Sequence, residues 1–198
     1  TRYIRIMNNK IVLASKSKVR KNILENNGFN CVVKPANIDE ETVKESLIKE
    51  GATPLLISKN LAELKANKIS EGLNEEVVIG ADSVIDLDGC VISKPSSRKE
   101  AMEILKKLNG KMHYLISSVC VSKNGQMVWN YTDQASLKMK NMSNSDLEEY
   151  LSKITDEDLY AYNVYQIEGK GRALFSEIKG DENTIMGLPI KKIKEFLS

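Results

Sequence analysis

The chain has 198 residues, 41% hydrophobic and 28% charged, enough to bury a substantial core as one domain spanning 1–198; 29 basic against 27 acidic side chains exclude a global basic field for nucleic acid. A single histidine, His113, excludes a histidine-rich zinc site and argues against a Ser-His-Asp hydrolase. Three widely spaced cysteines with no CxxC pair, no apolar run near the ~20 residues of a membrane span and no signal-peptide core predict free thiols, a cytoplasmic location and no membrane partner.

In chain order, "IVLASKSKVRKNILENNGF" (11–29) predicts a buried strand, then a joint crowded with Ser15, Lys16, Ser17, Lys18 and Arg20, then a short helix stopped by Gly28. "FNCVVKP" is a second strand ended by Pro35, and "ANIDEETVKE" reads as an acidic connection. Between Thr53 and Ser70, Pro54 opens a long amphipathic helix with Ile57, Leu61 and Leu64 apolar and Lys65 at the edge of the buried stripe. "EVVIGADSVIDLDGCVISKP" gives an apolar strand that runs into Asp82 and a hairpin at Asp88-Gly89. "SSRKEAMEILKKLNG" is a serine-capped helix. "HYLISSVCVSK" and "QMVWNYTDQASLKMK" are strands joined at Asn124-Gly125, with His113 and Trp129 read as packing residues. "SNSDLEEYLSKI" is a short helix, "RALFSEI" a strand, "GDENTIMGLP" a turn-rich connection and "LPIKKIKEFL" a terminal helix. Strands that alternate with helices and then pair as hairpins predict the α/β class: a mixed twisted sheet with flanking helices and two lobes around a central cleft.

The chemistry-bearing residues sit at joints. A strand-to-helix joint leaves N–H groups unpaired at the positive end of the helix dipole, so hydroxyls and cations at 15–20 form either an anion cradle or an ordinary cap with solvated lysines. Asp82 follows Gly80-Ala81, where small neighbours admit a ligand; its carboxylate binds a metal, deprotonates a water or caps the next turn. Glu40, in "IDEE", is a second oxygen ligand for a hard cation or part of a solvated loop. Lys94, fixed by Pro95, can converge with Lys65 and Arg20 on one place, and each taken singly also fits a surface charge. Glu168 precedes Gly169-Lys170-Gly171, a loop that permits close backbone approach.

The segments "LASKSKVR", "IDEE", "LAELKA", "VIGADSVI", "ISKP", "EAMEILKKLNGKMH", "YQIEGKG" and "GDENTIMGLP", in this order from about Ile11 to Leu197, resemble the Maf family of septum-formation inhibitors and nucleotide pyrophosphatases. The resemblance implies a fold shared with inosine-triphosphate pyrophosphatases. It also implies hydrolysis of a nucleoside triphosphate between its α and β phosphates, with a divalent cation, Mg²⁺ or Mn²⁺. Matched to the family's motifs, Asp82 is the proton acceptor, Ser15 and Arg20 bind phosphate, and Glu40, Lys65 and Lys94 line the cleft. Asp82 and Glu40 would hold the metal.

Three positions bear on base choice through the same resemblance. Val19 replaces the family's usual Arg or Trp, Ser83 follows the catalytic aspartate, and Glu168 stands where the methylguanosine-preferring branch has glutamate and the pyrimidine-preferring branch glutamine. A carboxylate accepts from guanine N1–H and N2–H₂ together, which favours a guanine-type or modified purine base. "LYAYNV" departs from the family's Lys-Ala-Gly before this loop. The expected partner is the nucleotide, with no stable nucleic-acid complex and a homodimer as the prior for a small cytosolic enzyme. The competing class is a non-catalytic nucleotide-binding regulator of cell division.

Overall fold

In the computed structural model, which describes residues 10–198, β1 (Lys10–Leu13) leads into α1 (Lys18–Asn26), where Ser17 caps the helix by accepting from the Arg20 N–H at 3.1 Å. Strand β2 (Asn30–Val33) returns parallel to β1. The expected acidic connection is instead a helix, α2 (Glu40–Lys49). Asp39 is its cap and Glu40 and Glu41 fill its first turn, so the acids complement the helix dipole. Then come α3 (Pro54–Glu71), the hairpin of β3 (Val78–Leu87) and β4 (Cys90–Ile92), α4 (Arg98–Leu108), and the long pair β5 (Met112–Lys123) and β6 (Gln126–Met139).

The last third differs most from expectation. After α5 (Asn144–Ser152) comes a helix that sequence reading left out, α6 (Asp156–Tyr162). The segment read as strand from Arg172 starts as a 3-10 turn, and β7 begins only at Phe175 (Phe175–Lys179). "GDENTIMGLP" is more than a connection: Asp181 caps a five-residue helix, α7 (Glu182–Met186), before α8 (Ile190–Leu197).

The sheet has seven strands in the order β2-β1-β3-β5-β6-β7, with β4 added to the free part of β3. Its β2-β1-β3 half is parallel and the rest antiparallel. Alternation along β3 sends Val78 and Val84 to one face, against Ala62, Ala66, Ile57 and Leu61 of α3. Ile79, Ala81 and Ile85 go to the other face, which carries two separate apolar clusters. One is built with α1 and α8 around Leu24 and Ile193, the other with α4 and α5 around Leu105 and Leu147, and Met186 packs against both. Gly80 has no side chain where α3 passes closest: a Cβ there would lie 2.3 Å from the Ala62 carbonyl oxygen and 2.7 Å from the Ala66 nitrogen. No helix among the described residues is long and apolar enough to cross a membrane.

His113 and Trp129 pack as expected. Trp129 stacks on Phe196 with ring centroids 4.8 Å apart. His113, 1% exposed, bonds through Nε2 to the Tyr165 hydroxyl at 2.9 Å, and burial pushes its pKa down to about 4. The unfolded imidazole titrates near 6.5, so between these values the unfolded chain binds the extra proton. Stability is therefore expected to fall as pH drops through 6.5 towards 4, by on the order of 3 kcal/mol at the acid end. Urea melts across that range check this, and His113→Gln, which keeps a hydrogen-bonding partner for Tyr165, should flatten the slope.

Candidate active site

Strand β3 changes partner on one edge. Val78 and Ile79 pair with β1 and Ile85 to Leu87 pair with β4, while residues 80 to 84 face neither strand on that edge. Along the opposite edge β5 holds every residue from Val78 to Asp86, so the open stretch is rigid. A cleft of about 430 Å³ opens there, walled by the β1–α1 joint, the start of α2, the β4 exit, the end of α6 and the α7 turn. This follows the rule that ligands of α/β sheets bind where strand order diverges.

On the α3 face, Asp82 is buried with 9% exposure, and Lys65 reaches it from α3. Lys65 Nζ lies 3.3 Å from Asp82 Oδ1 and 2.6 Å from Glu40 Oε1, bridging the two carboxylates. Asp82 Oδ2 is buried without a hydrogen-bond partner. The two acids are pushed apart in pKa. Burial holds Asp82 above the usual carboxylate range in spite of Lys65 and Arg20. For Glu40, burial works in the same sense but is outweighed by Lys65, then Lys94 and Lys44, and the group stays below its usual range. Such a pair suits a proton acceptor beside a permanent anion.

The other face carries Arg20. Its Nε donates to the Gly187 carbonyl at 2.8 Å, Nη1 to Ser15 Oγ at 3.1 Å and Nη2 to Ser83 Oγ at 3.1 Å. Ser15 Oγ also accepts from the Ser17 N–H at 3.2 Å. With both lone pairs of Ser15 engaged, its own proton is left to donate, which suits a phosphate oxygen. Lys94 stands at the cleft wall; it is open to water, yet partial burial of its ammonium group, together with Arg20, holds its pKa below normal.

Ser15, Arg20, Glu40, Lys65, Asp82, Ser83, Lys94 and Glu168 thus line one cleft. Val19 does not line it and packs on the apolar cluster of α1 and α8. Glu168 is exposed and accepts from Gln166 Nε2 at 3.0 Å. Sequence reasoning missed Tyr160 and Tyr162 at the end of α6, Gln166 beside Glu168, and Lys44 one turn beyond Glu40. The signal for the tyrosines is "YAYN" itself: Asn163, at φ 67° and ψ −158°, takes a sparsely populated extended conformation that ends α6 at the cleft.

The residues fit a hard cation. Two carboxylates from different elements, one with a buried orphan oxygen, can hold Mg²⁺ or Mn²⁺ if phosphate and water supply the other ligands. No group of three metal-ligating side chains occurs among the described residues, so the protein alone offers only part of a coordination sphere.

A model of the family described as Maf-like protein matches residues 10–198. The chain belongs to the Maf-like family. A nucleoside triphosphate pyrophosphatase of Pelagibacter ubique is 69% identical over 187 residues, which cover 94% of this chain and 96% of that one. A 7-methyl-GTP pyrophosphatase of Rhizobium meliloti is 34% identical over 190 residues, 94% of this chain and 96% of the relative. Among solved structures, a HAM1 protein from Coxiella burnetii aligns over 89% of both chains at 11% identity with a TM-score of 0.47. In Maf-like terms the candidate site residues read from sequence, all but Val19, line a single cleft, with the acids on one face of β3 and the arginine on the other.

Proposed function

We propose that this Maf-like chain is a nucleoside triphosphate pyrophosphatase that releases pyrophosphate and the nucleoside monophosphate. The observation that supports it best is Asp82: a carboxylate of raised pKa, buried on the open edge of β3, inside one cleft with Arg20, Lys65 and Lys94. A triphosphate carries about four negative charges, and these cations and the α1 N-terminus neutralise them. Asp82 takes a proton from the attacking water as its oxygen bonds the α-phosphorus and the bridge to the β-phosphate breaks. The electron pair leaves with pyrophosphate, whose new charge Lys65, Lys94 and Arg20 stabilise. Ser15 donates to a phosphate oxygen. Mg²⁺ or Mn²⁺ held by Asp82 and Glu40 would, when bound, add charge neutralisation and make water easier to deprotonate.

The base is assigned to the stretch of cleft wall that follows α6, against Glu168, Gln166 and Tyr160, while Tyr162 neighbours Lys18 and Arg20 on the phosphate side. The Glu168 carboxylate favours guanine or a modified guanine, in line with relatives named 7-methyl-GTP pyrophosphatase. A cytoplasmic location goes with this reading, since nucleoside triphosphates are made there. The test is pyrophosphate release across a nucleotide panel, including 7-methyl-GTP, with and without Mg²⁺ or Mn²⁺. Guanine-type triphosphates should turn over fastest in metal, and Glu168→Gln should shift preference towards uracil and thymine by about tenfold. An unchanged preference order removes Glu168 from base choice. Binding without pyrophosphate release would support a nucleotide-responsive regulator instead.

A further inference from the structure

Arg20 is held by more than its neighbours in sequence. Of the five N–H donors that an arginine carries, three are used by Gly187, Ser15 and Ser83. One N–H on each terminal nitrogen is left over. The Ser83 hydroxyl that accepts from Nη2 stands 2.6 Å from the hydroxyl of Ser117 on β5, and Ser117 Oγ donates to the Thr184 carbonyl at 2.8 Å.

A serine hydroxyl has one proton. That of Ser117 is committed to Thr184, so Ser83 donates to Ser117 and is left with lone pairs for Arg20. The chain of bonds runs in one direction, from the guanidinium to Ser83, to Ser117, to α7. Ser117 and Thr184 are 0% exposed, so water does not compete for these bonds. Helix α7 is itself fixed: Asp181 Oδ1 accepts from the Asn183 and Thr184 N–H groups, and Thr184 Oγ1 donates to Asp133 Oδ2 of β6 at 2.7 Å. Gly187, which takes the Nε–H of Arg20, closes the same turn. Two of the three bonds to Arg20 therefore lead back to α7.

We propose that Ser117, which is outside the cleft lining, is a positioning residue for the reaction. With the α7 turn it holds the Arg20 guanidinium in the one orientation that presents its two remaining N–H groups to the phosphates. The proposal rests on the reading of Arg20 as a phosphate-binding residue. Without Ser117, the Ser83 proton has no fixed acceptor, the Ser83 lone pairs are no longer aimed at Nη2, and the fork loses its alignment.

The test is a double-mutant cycle on the full chain, using Ser117→Ala, Arg20→Lys and the pair, read by kcat/KM, by thermal melts and by calorimetric affinity for inorganic tripolyphosphate with Mg²⁺. Ser122→Ala is the control, because Ser122 is also 0% exposed on β5 but bonds Asn67, away from the cleft. Ser117→Ala should lower kcat/KM about tenfold, the scale of a hydrogen bond in a charge-assisted chain, and add little once Arg20 is lysine. Ser122→Ala should lower the melting temperature without that loss. Additive losses in the cycle, or a Ser117→Ala protein that melts lower but turns over normally, overturn the proposal. If Ser117→Ala does not fold, Ser83→Ala breaks the same chain at its accessible end and is scored in the same way. If the wild type binds tripolyphosphate but hydrolyses nothing, the hydrolase reading fails and the cycle is decided on affinity. If it binds no tripolyphosphate, Arg20 has no anion to meet and the proposal falls.

Discussion

Asp82→Asn is expected to lower pyrophosphate release by about 10²- to 10⁴-fold, the range for loss of a positioned general base. The amide has the size of the carboxylate but cannot take a proton from water. Nucleotide binding should persist, because Arg20, Lys65, Lys94 and Ser15 are untouched. Stability is the second readout, taken in metal-free protein. A carboxylate whose pKa is raised on folding weakens the fold as pH rises from its unfolded pKa through its folded one, since the unfolded chain loses the proton first. The neutral amide removes that penalty, so the variant should melt no lower than wild type near neutral pH. A variant that keeps normal turnover would take the base role away from Asp82. A variant that melts well below wild type near neutral pH would contradict the raised pKa of Asp82 rather than its role as base.

Gly80→Ala should be nearly as damaging, although Gly80 has no side chain to offer a substrate. The added methyl would meet the Ala62 carbonyl oxygen at 2.3 Å, the Ala66 nitrogen at 2.7 Å and the Ala66 Cβ at 2.9 Å. These are backbone and stiff atoms of a helix and cannot step aside singly. Helix α3 must move out as a body, at a cost of about 1–3 kcal/mol for overpacking. Lys65, next to Ala66 on that helix, moves with it, away from Asp82. A displacement near 1 Å of a charged group in a reacting site is enough for about a 10²-fold loss. The check is kcat/KM and a thermal melt beside Gly72→Ala, a position whose φ is ordinary and whose added methyl meets its nearest atom only at 3.8 Å. If Gly80→Ala matches Gly72→Ala on both counts, close approach of helix and strand is not what sets the ammonium–carboxylate distance.

The site was legible where function coincides with local pattern. Asp82 breaks an apolar strand behind two small residues, Lys65 sits at the edge of a helical stripe, and Arg20 lies in a strand-to-helix joint, so each stands out from its own neighbourhood. The motif order then tied them together. What stayed hidden depends on register between distant segments. Nothing in "LISSVCV" says that Ser117 faces Arg20 while Ser118 faces α3, because which face each serine takes is settled only by the pairing of Ser83 with Ser117 and Asp82 with Ser118. Helices α6 and α7 were missed or read as turns because seven and five residues are too few to show a 3.6-residue period. Helix α2 was masked by its own acids, which look like a solvated loop until Asp39 is seen as a cap and Glu40 as Lys65's partner.

The two apolar clusters on the α1 side of the sheet, joined through Met186, leave between them a seam of Arg20, Ser83, Ser117 and the Thr184 carbonyl. Swinging one half against the other would break those bonds, and Ser117 and Thr184, fully shielded from solvent, would find no water to replace them. The seam therefore acts as a polar rivet through the sheet, and an incoming nucleotide meets a guanidinium already set in place.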